Sequence, residues 1–153
     1  MKVYKLKFEQ NINRPLEEVF SFFSKPENLS LITPKKLCFE ILTPTPIKMK
    51  EGQLIDYTIK LFKKEIRWRT LITEYDYPKK FVDQQLKGPY SMWHHTHKFT
   101  DCGDSVHMID EVSYSVPFGV LGRFVNFLFI KKDLQEIFDY RRDVIDNYFK
   151  ENK

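Results

Sequence analysis

The sequence predicts an α+β domain in which a curved antiparallel sheet is closed over an apolar cavity by a long C-terminal helix. Three observations carry this. Segments of period-two apolar alternation recur from Tyr4 to Ser115 with turn residues between them, and after Pro117 the apolar period changes to three and four. Aromatic residues make up 16% of the chain, with 14 Phe and 8 Tyr, more than packing one small core demands, so a wide internal surface is expected. A length of 153 residues fits one domain spanning 1–153, and 42% hydrophobic content is enough for a sizeable core.

Tyr4, Leu6, Phe8 and Ile12 share one side of the first alternating segment, with Lys5, Lys7 and Glu9 on the other, which describes a half-buried strand ended by Asn13-Arg14-Pro15. Asn13 is placed to cap a helix with Pro15 in its first turn and Leu16, Val19, Phe20 and Phe23 at helical spacing, and Pro26-Glu27-Asn28 opens a second short helix. Leu37 to Leu42 reads as a short strand, stopped by Thr43-Pro44-Thr45-Pro46, whose prolines cannot donate to a ladder. In the next two strands the apolar sets are Ile55, Tyr57, Ile59 and Leu61, then Ile66, Trp68, Thr70 and Ile72. A two-residue turn at Lys63-Lys64 would set Leu61 opposite Ile66, Ile59 opposite Trp68 and Tyr57 opposite Thr70, with both sets on one face. Phe81 to Lys87, Ser91 to Thr100 and Ser105 to Ser115 continue the meander, turning at Gly88-Pro89-Tyr90 and Cys102-Gly103. Finally Leu134, Ile137, Phe138, Arg141, Val144, Ile145 and Tyr148 form the stripe of a long amphipathic helix that must bury against the sheet.

Composition excludes several partners. Lys and Arg outnumber Asp and Glu by 25 to 21, but the charges interleave, so the basic pairs read as surface lysines and nucleic acid is not the favoured partner. Cys38 and Cys102 have neither a partner His nor a CxxC spacing, so no zinc site, redox motif or other cofactor is expected. The first ten residues alternate like a strand and lack the apolar run of a signal peptide. No stretch reaches the roughly 18 apolar residues of a membrane span, so a cytoplasmic protein is expected.

The order of strand, two short helices, meander and long terminal helix, together with Gly88-Pro89-Tyr90, Trp93, His95, His97, Phe99, Asp110, Tyr114, Pro117, Gly119, Leu121-Gly122 and Phe138, resembles the START-like (SRPBCC) helix-grip superfamily. The closer resemblance is to the bacterial ligand-binding group near polyketide cyclases and dehydrases. It covers nearly the whole chain. It implies a helix-grip fold and a single ligand-binding domain with a cavity for a small hydrophobic or aromatic molecule, and supplies no catalytic residues.

The face expected to be concave also carries polar residues. A two-residue turn at Cys102-Gly103 would pair Phe99 with Val106, His97 with Met108, and His95 with Asp110. A three-residue loop at Gly88-Pro89-Tyr90 would pair Gln85 with Trp93, Asp83 with His95 and Phe81 with His97. A row of Asp83, His95 and Asp110 results, set among Phe81, Trp93, Phe99, Met108, Val112 and Tyr114. Two acids beside one imidazole should favour its charged form. Read blandly, the row is a buried polar ladder that fixes strand register. The functional reading is a ligand site, with Gln85, His95, His97, Asp110 and Tyr114 orienting a polar group and Tyr57, Trp68, Trp93 and Phe138 as apolar wall. An enzymatic reading makes His95, tuned by Asp110 or Asp83, the general acid or base of a cofactor-free cyclisation, dehydration or isomerisation. A metal held by His95, His97 and Asp110 is not expected, because His94 and His107 point away and the four histidines make no single cage.

One segment fits none of these elements. Phe118 to Ile130 is too apolar all round for one face of a surface helix. Packing against the cavity mouth is the first expectation, with a mobile gate hinged at Pro117, Gly119 and Gly122, or a peripheral membrane or protein contact, as the alternatives.

Overall fold

The computed structural model describes residues 1–151. The chain runs β1 (Tyr4–Ile12), α1 (Leu16–Phe23), a 3₁₀ turn (Pro26–Asn28), α2 (Leu29–Ile32), a second 3₁₀ turn (Lys35–Leu37) and β2 (Glu40–Ile41). The strands β3 (Leu54–Leu61), β4 (Lys64–Asp76), β5 (Lys80–Lys87), β6 (Met92–Asp101) and β7 (Val106–Ser115) follow. Then come α3 (Gly119–Val125), a π-helical turn (Asn126–Ile130) and α4 (Lys131–Glu151). All seven strands form one antiparallel sheet in the order β1-β7-β6-β5-β4-β3-β2.

The alternation read from the sequence decides which face is buried. Ile59, Trp68, Ile72, Phe81, Trp93, Phe99, Met108, Val112 and Tyr114 are all buried on the concave face. Two apolar clusters cover that face. In one, α1 delivers Val19, Phe20, Phe22 and Phe23 onto Phe81, Phe99, Val106 and Met108, joined by Ile145 and Phe149 of α4. In the other, Leu134 and Phe138 of α4 meet Trp68, Trp93, Val112 and Tyr114. Phe138 also stacks on Phe8 of β1 with ring centroids 4.2 Å apart, which pins the long helix across the sheet edge. Between β4 and β5 the register shifts at Arg69/Thr70 and Ile72/Glu74, leaving Leu86 and Thr73 as extra residues, and such bulges bend a sheet around what it covers.

Four local expectations are corrected. Pro15, not Asn13, occupies the N-cap of α1, and no side chain caps it. Only Glu40 and Ile41 of the expected 37–42 strand pair with β3, because Lys35–Leu37 is a 3₁₀ turn and Cys38 is left-handed. The β3–β4 turn is Phe62-Lys63, with φ of 51° and 63°, the pair of positive values that a tight primed turn requires. Tyr57 therefore faces Trp68 and Ile59 faces Ile66, two residues from the expected pairing. The β6–β7 loop spans 102–105, so His97, not His95, lies opposite Asp110. Both shifts are even-numbered, so every inward residue stays inward.

A left-handed conformation strains any residue with a Cβ, and glycine relieves it. Lys63→Gly is expected to raise stability by about 0.5–1 kcal/mol, seen as a higher urea midpoint at unchanged m-value. A lower midpoint would contradict the turn geometry.

Candidate functional site

An interior pocket of about 190 Å³ lies between the concave face, α1 and α4. Tyr57, Trp68, Trp93 and Phe138 line it, as do Phe22 and Phe23 from α1. Trp68 and Trp93 meet edge to face at 5.5 Å, and Tyr57 stacks on Trp68 at 5.7 Å. At one end the wall turns polar, with Asp83, His95, His97 and Arg141.

Period-two side-chain direction brings the polar group together across three strands. Asp83 on β5 faces His95 on β6, and His97 faces Asp110 on β7. The four side chains close a ring. His95 Nε2 donates to Asp110 Oδ1 at 2.8 Å, and His97 Nε2 donates to Asp83 Oδ2 at 2.6 Å. On the remaining sides, His95 Nδ1 is 3.7 Å from Asp83 Oδ2, and His97 Nδ1 is 3.1 Å from Asp110 Oδ1 without the alignment of a hydrogen bond. The imidazoles stack at 3.7 Å, His97 also stacks on Phe81 at 4.2 Å, and His95 meets Phe138 edge-on at 5.6 Å. The ring therefore sits at the junction of the two apolar clusters.

Burial pushes both carboxyls upward, but the opposing charges prevail. Asp110 is held well below the usual range by Arg141, His95 and His97, and Asp83 is held below it by the two imidazoles and Arg141. The histidines separate. Burial and the neighbouring His97 lower His95 despite the carboxylates, whereas for His97 the close Asp110 carboxylate and the hydrogen bond to Asp83 outweigh burial and raise it. Two stacked imidazoles do not both carry charge readily, so one proton belongs to the pair, and the opposite directions of the two shifts favour His97 as its holder. Two carboxylates, one imidazolium and the Arg141 guanidinium then balance. The lowered direction at His95 runs against the charged imidazolium expected there and favours His95 as the neutral member.

Not every expected residue lies in the pocket wall. Asp110 stands behind the histidines, in a cleft shared with Phe8, Gln10 and Arg141. Gln85 holds the loop before β6, donating through Nε2 to the Tyr90 carbonyl at 2.8 Å and accepting from the Tyr90 amide at 3.2 Å, which places the Tyr90 ring in the pocket. Tyr114 sends its hydroxyl to Asn126 Oδ1 at 2.8 Å. His107 bonds Asn11 at the surface, and His94 lines a shallow pocket with Glu111 and Lys98, so both point away as expected.

Sequence reasoning missed Arg141. Its guanidinium carbon lies 5.6 Å from the Phe23 ring centre and 5.8 Å from that of Phe138, and its buried Nε has no hydrogen-bond partner among the described residues. The signal was its position within the apolar stripe of α4, where a cation must find either a counter-charge or a ligand. Among the described residues, the set able to approach a metal ion is Asp83, His95 and His97, with ligand atoms within 4.8 Å. The rings lie 29° from parallel, so their in-plane lone pairs run side by side instead of converging, and a metal would have to displace the shared proton.

The sequence matches no protein-family model and no curated protein. Its fold matches solved structures along nearly its whole length. The Zhui aromatase/cyclase from a Streptomyces species has a TM-score of 0.77 at 9% identity, covering 97% of this chain and 94% of that one. A START superfamily protein from Mycobacterium smegmatis has 0.73 at 11%, covering 97% and 99%. Major latex-like protein 151 from Panax ginseng has 0.67 at 11%, covering 96% and 97%. At these identities the likeness is one of fold, and the fold is the START-like helix grip.

Histidine ring NMR checks the charge assignment. His97 is expected to titrate above 6.5 and His95 below it. The linked stabilities oppose each other. His97 contributes fully below 6.5 and loses its contribution as pH rises through its raised value, whereas His95 contributes above 6.5 and loses it as pH falls through its lowered value. The carboxylates contribute above their unfolded value of 3.8 and lose this as pH falls through their depressed folded values. Both histidines titrating together near 6.5 would contradict the closed ring.

Proposed function

From the START-like helix-grip fold as premise, we propose that this chain is a single domain that binds a small hydrophobic or aromatic molecule in the interior pocket, for carriage or sensing. The observation that supports this most is the pairing of a long aromatic wall with the cluster of Asp83, His95, His97 and Arg141, where the buried Nε of Arg141 lacks a hydrogen-bond partner among the described residues. A flat apolar body fits against Tyr57, Trp68, Trp93 and Phe138. An anionic or carbonyl oxygen on that body would accept from Arg141 and be oriented by His95 and His97, the usual arrangement of a small-molecule site.

Two fluorescent probes of similar shape test the head-group claim. The chain's two tryptophans both line the pocket, so probe binding is read through their quenching. Arg141→Gln is expected to weaken the anionic probe anilinonaphthalene sulfonate about tenfold, the equivalent of one charge-assisted hydrogen bond, while neutral N-phenylnaphthylamine binds as before. Equal weakening of both would remove Arg141 from ligand recognition.

A second reading is supported by the protonation pattern. A neutral His95 in the pocket wall, hydrogen-bonded through Nε2 to Asp110, is arranged as a general base is, and one neighbour in fold is an aromatase/cyclase. In this reading His95 removes a proton beside a ligand carbonyl, without a cofactor, and Asp110 and Asp83 set its basicity. Deuterium exchange at the methyl of 2-acetylnaphthalene, followed by NMR, measures that step. Acceleration by the wild type, lost in His95→Ala at unchanged affinity, is the expected result; equal rates in the two proteins would take His95 out of the mechanism.

A further inference from the structure

The segment from Phe118 to Ile130 does not pack as the sequence leads one to expect. Phe118, Val120, Leu121, Phe124, Phe127, Leu128 and Phe129 are all exposed, Phe118 and Phe127 by 81% and 80%. The buried residues are Gly122 and Asn126, one helical turn apart, with Val125 and Ile130 half-buried beside them. This helix is inside out, with its small and polar side facing the protein and its aromatic side facing away. Two features hold it that way. Tyr114 and Asn126, both buried, hydrogen-bond at 2.8 Å, and a Cβ on Gly122 would collide with the Pro117 carbonyl oxygen. Packing at the cavity mouth, the first expectation for this segment, holds at Ile130 and is corrected for the exposed side chains.

A fifth exposed phenylalanine, from another part of the chain, faces the same space. Phe62, at the tip of the β3–β4 turn, is 93% exposed. Phe62, Phe118, Leu121 and Phe129 line a common groove of about 1020 Å³. Leu37, Leu61, Tyr90 and Asp133 belong to the walls of both this groove and the interior pocket.

The charge around the groove is mainly positive, with Lys36, Lys60, Lys63 and Lys132 in its wall against Asp133 and Glu136. No Asp or Glu lies between Glu111 and Asp133, while Arg123, Lys131 and Lys132 do. Lys36 is occupied by Asp133 at 3.1 Å and Glu136 at 3.8 Å. Lys63, Arg123, Lys131 and Lys132 enter none of the ion pairs among the described residues. A symmetric dimer through this face would set these cations against their own copies. An anionic lipid surface instead meets them with opposite charge and takes the aromatic side chains into its acyl boundary. No helix among the described residues is long and apolar enough to cross a membrane, so such contact is peripheral.

We infer that the groove mouth, with Phe62 and the outward face of α3 and the π turn, docks on the surface of anionic bilayers. If the interior pocket holds a ligand, as proposed above, docking opens the groove that borders it toward the lipid phase.

Flotation of the full chain with vesicles tests docking alone, and occupancy of the pocket is read separately by the probe titration, so either reading can fail without the other. Vesicles of phosphatidylcholine with one quarter phosphatidylglycerol are expected to carry the protein up at low salt. Binding should weaken at high salt and be at least roughly tenfold weaker to pure phosphatidylcholine. Phe62→Ser/Phe124→Ser/Phe127→Ser removes only exposed side chains, so circular dichroism should be unchanged while vesicle binding falls about tenfold or more. No binding to anionic vesicles, or equal binding by the triple variant, would overturn the proposal. So would a wild-type dimer in light scattering that the triple variant converts to monomer without either protein binding vesicles, which would assign the face to a second copy.

Discussion

A carboxylate moved from water into an apolar wall costs several kcal/mol unless a counter-charge accompanies it. Asp83 and Asp110 lie within an aromatic sheet face and meet this constraint with His97, His95 and Arg141. The five groups come from β5, β6, β7 and α4, so their charges balance only when three strands are in register and the long helix is docked. Partial assembly would leave a charge buried and unpaired. The ring is thus an anchor for strand register and, through Arg141, for the position of α4, as well as the polar end of the pocket.

The same arrangement leaves the pocket asymmetric. Phe81 and the α1 phenylalanines pack into one apolar cluster beside the ring, Trp68, Trp93 and Phe138 belong to the other, and the open space is lined from both. Bulges at Thr73 and Leu86 bend the sheet beneath that space, and the Phe8–Phe138 stack fixes the helix above it. Beyond the cavity the chain reverses its usual polarity. Gly122 and Asn126 face inward and the phenylalanines outward, so the region nearest the pocket mouth is the most apolar surface described.

Much of the fold was legible because strand parity is robust. Errors of two residues in the β3–β4 and β6–β7 pairings left every inward side chain inward, so Tyr57, Trp68, Trp93, His95 and His97 lie on the expected face with shifted partners there, while Asp83–His95 and Phe81–His97 pair across β5–β6 as expected. Turn length was the weak point. Phe62-Lys63 carries no Gly or Asn to announce its left-handed backbone, and the 102–105 loop conceals two residues beyond Gly103. The division of charge between His95 and His97 was not legible, since it depends on which nitrogen meets which oxygen at 2.6–2.8 Å. Arg141 was visible in the apolar stripe but read as part of a helix face. Outward burial polarity in 118–130 was hidden because hydropathy cannot say which side of an all-apolar helix meets the protein.

The most direct test of the account is a crystal structure of the protein with bound anilinonaphthalene sulfonate. The account places the naphthalene between Trp68, Trp93 and Phe138, with the sulfonate accepting from Arg141 beside His95 and His97. A probe seated only on the outer face of Phe118 to Phe129, over an interior closed by its own side chains, would contradict it.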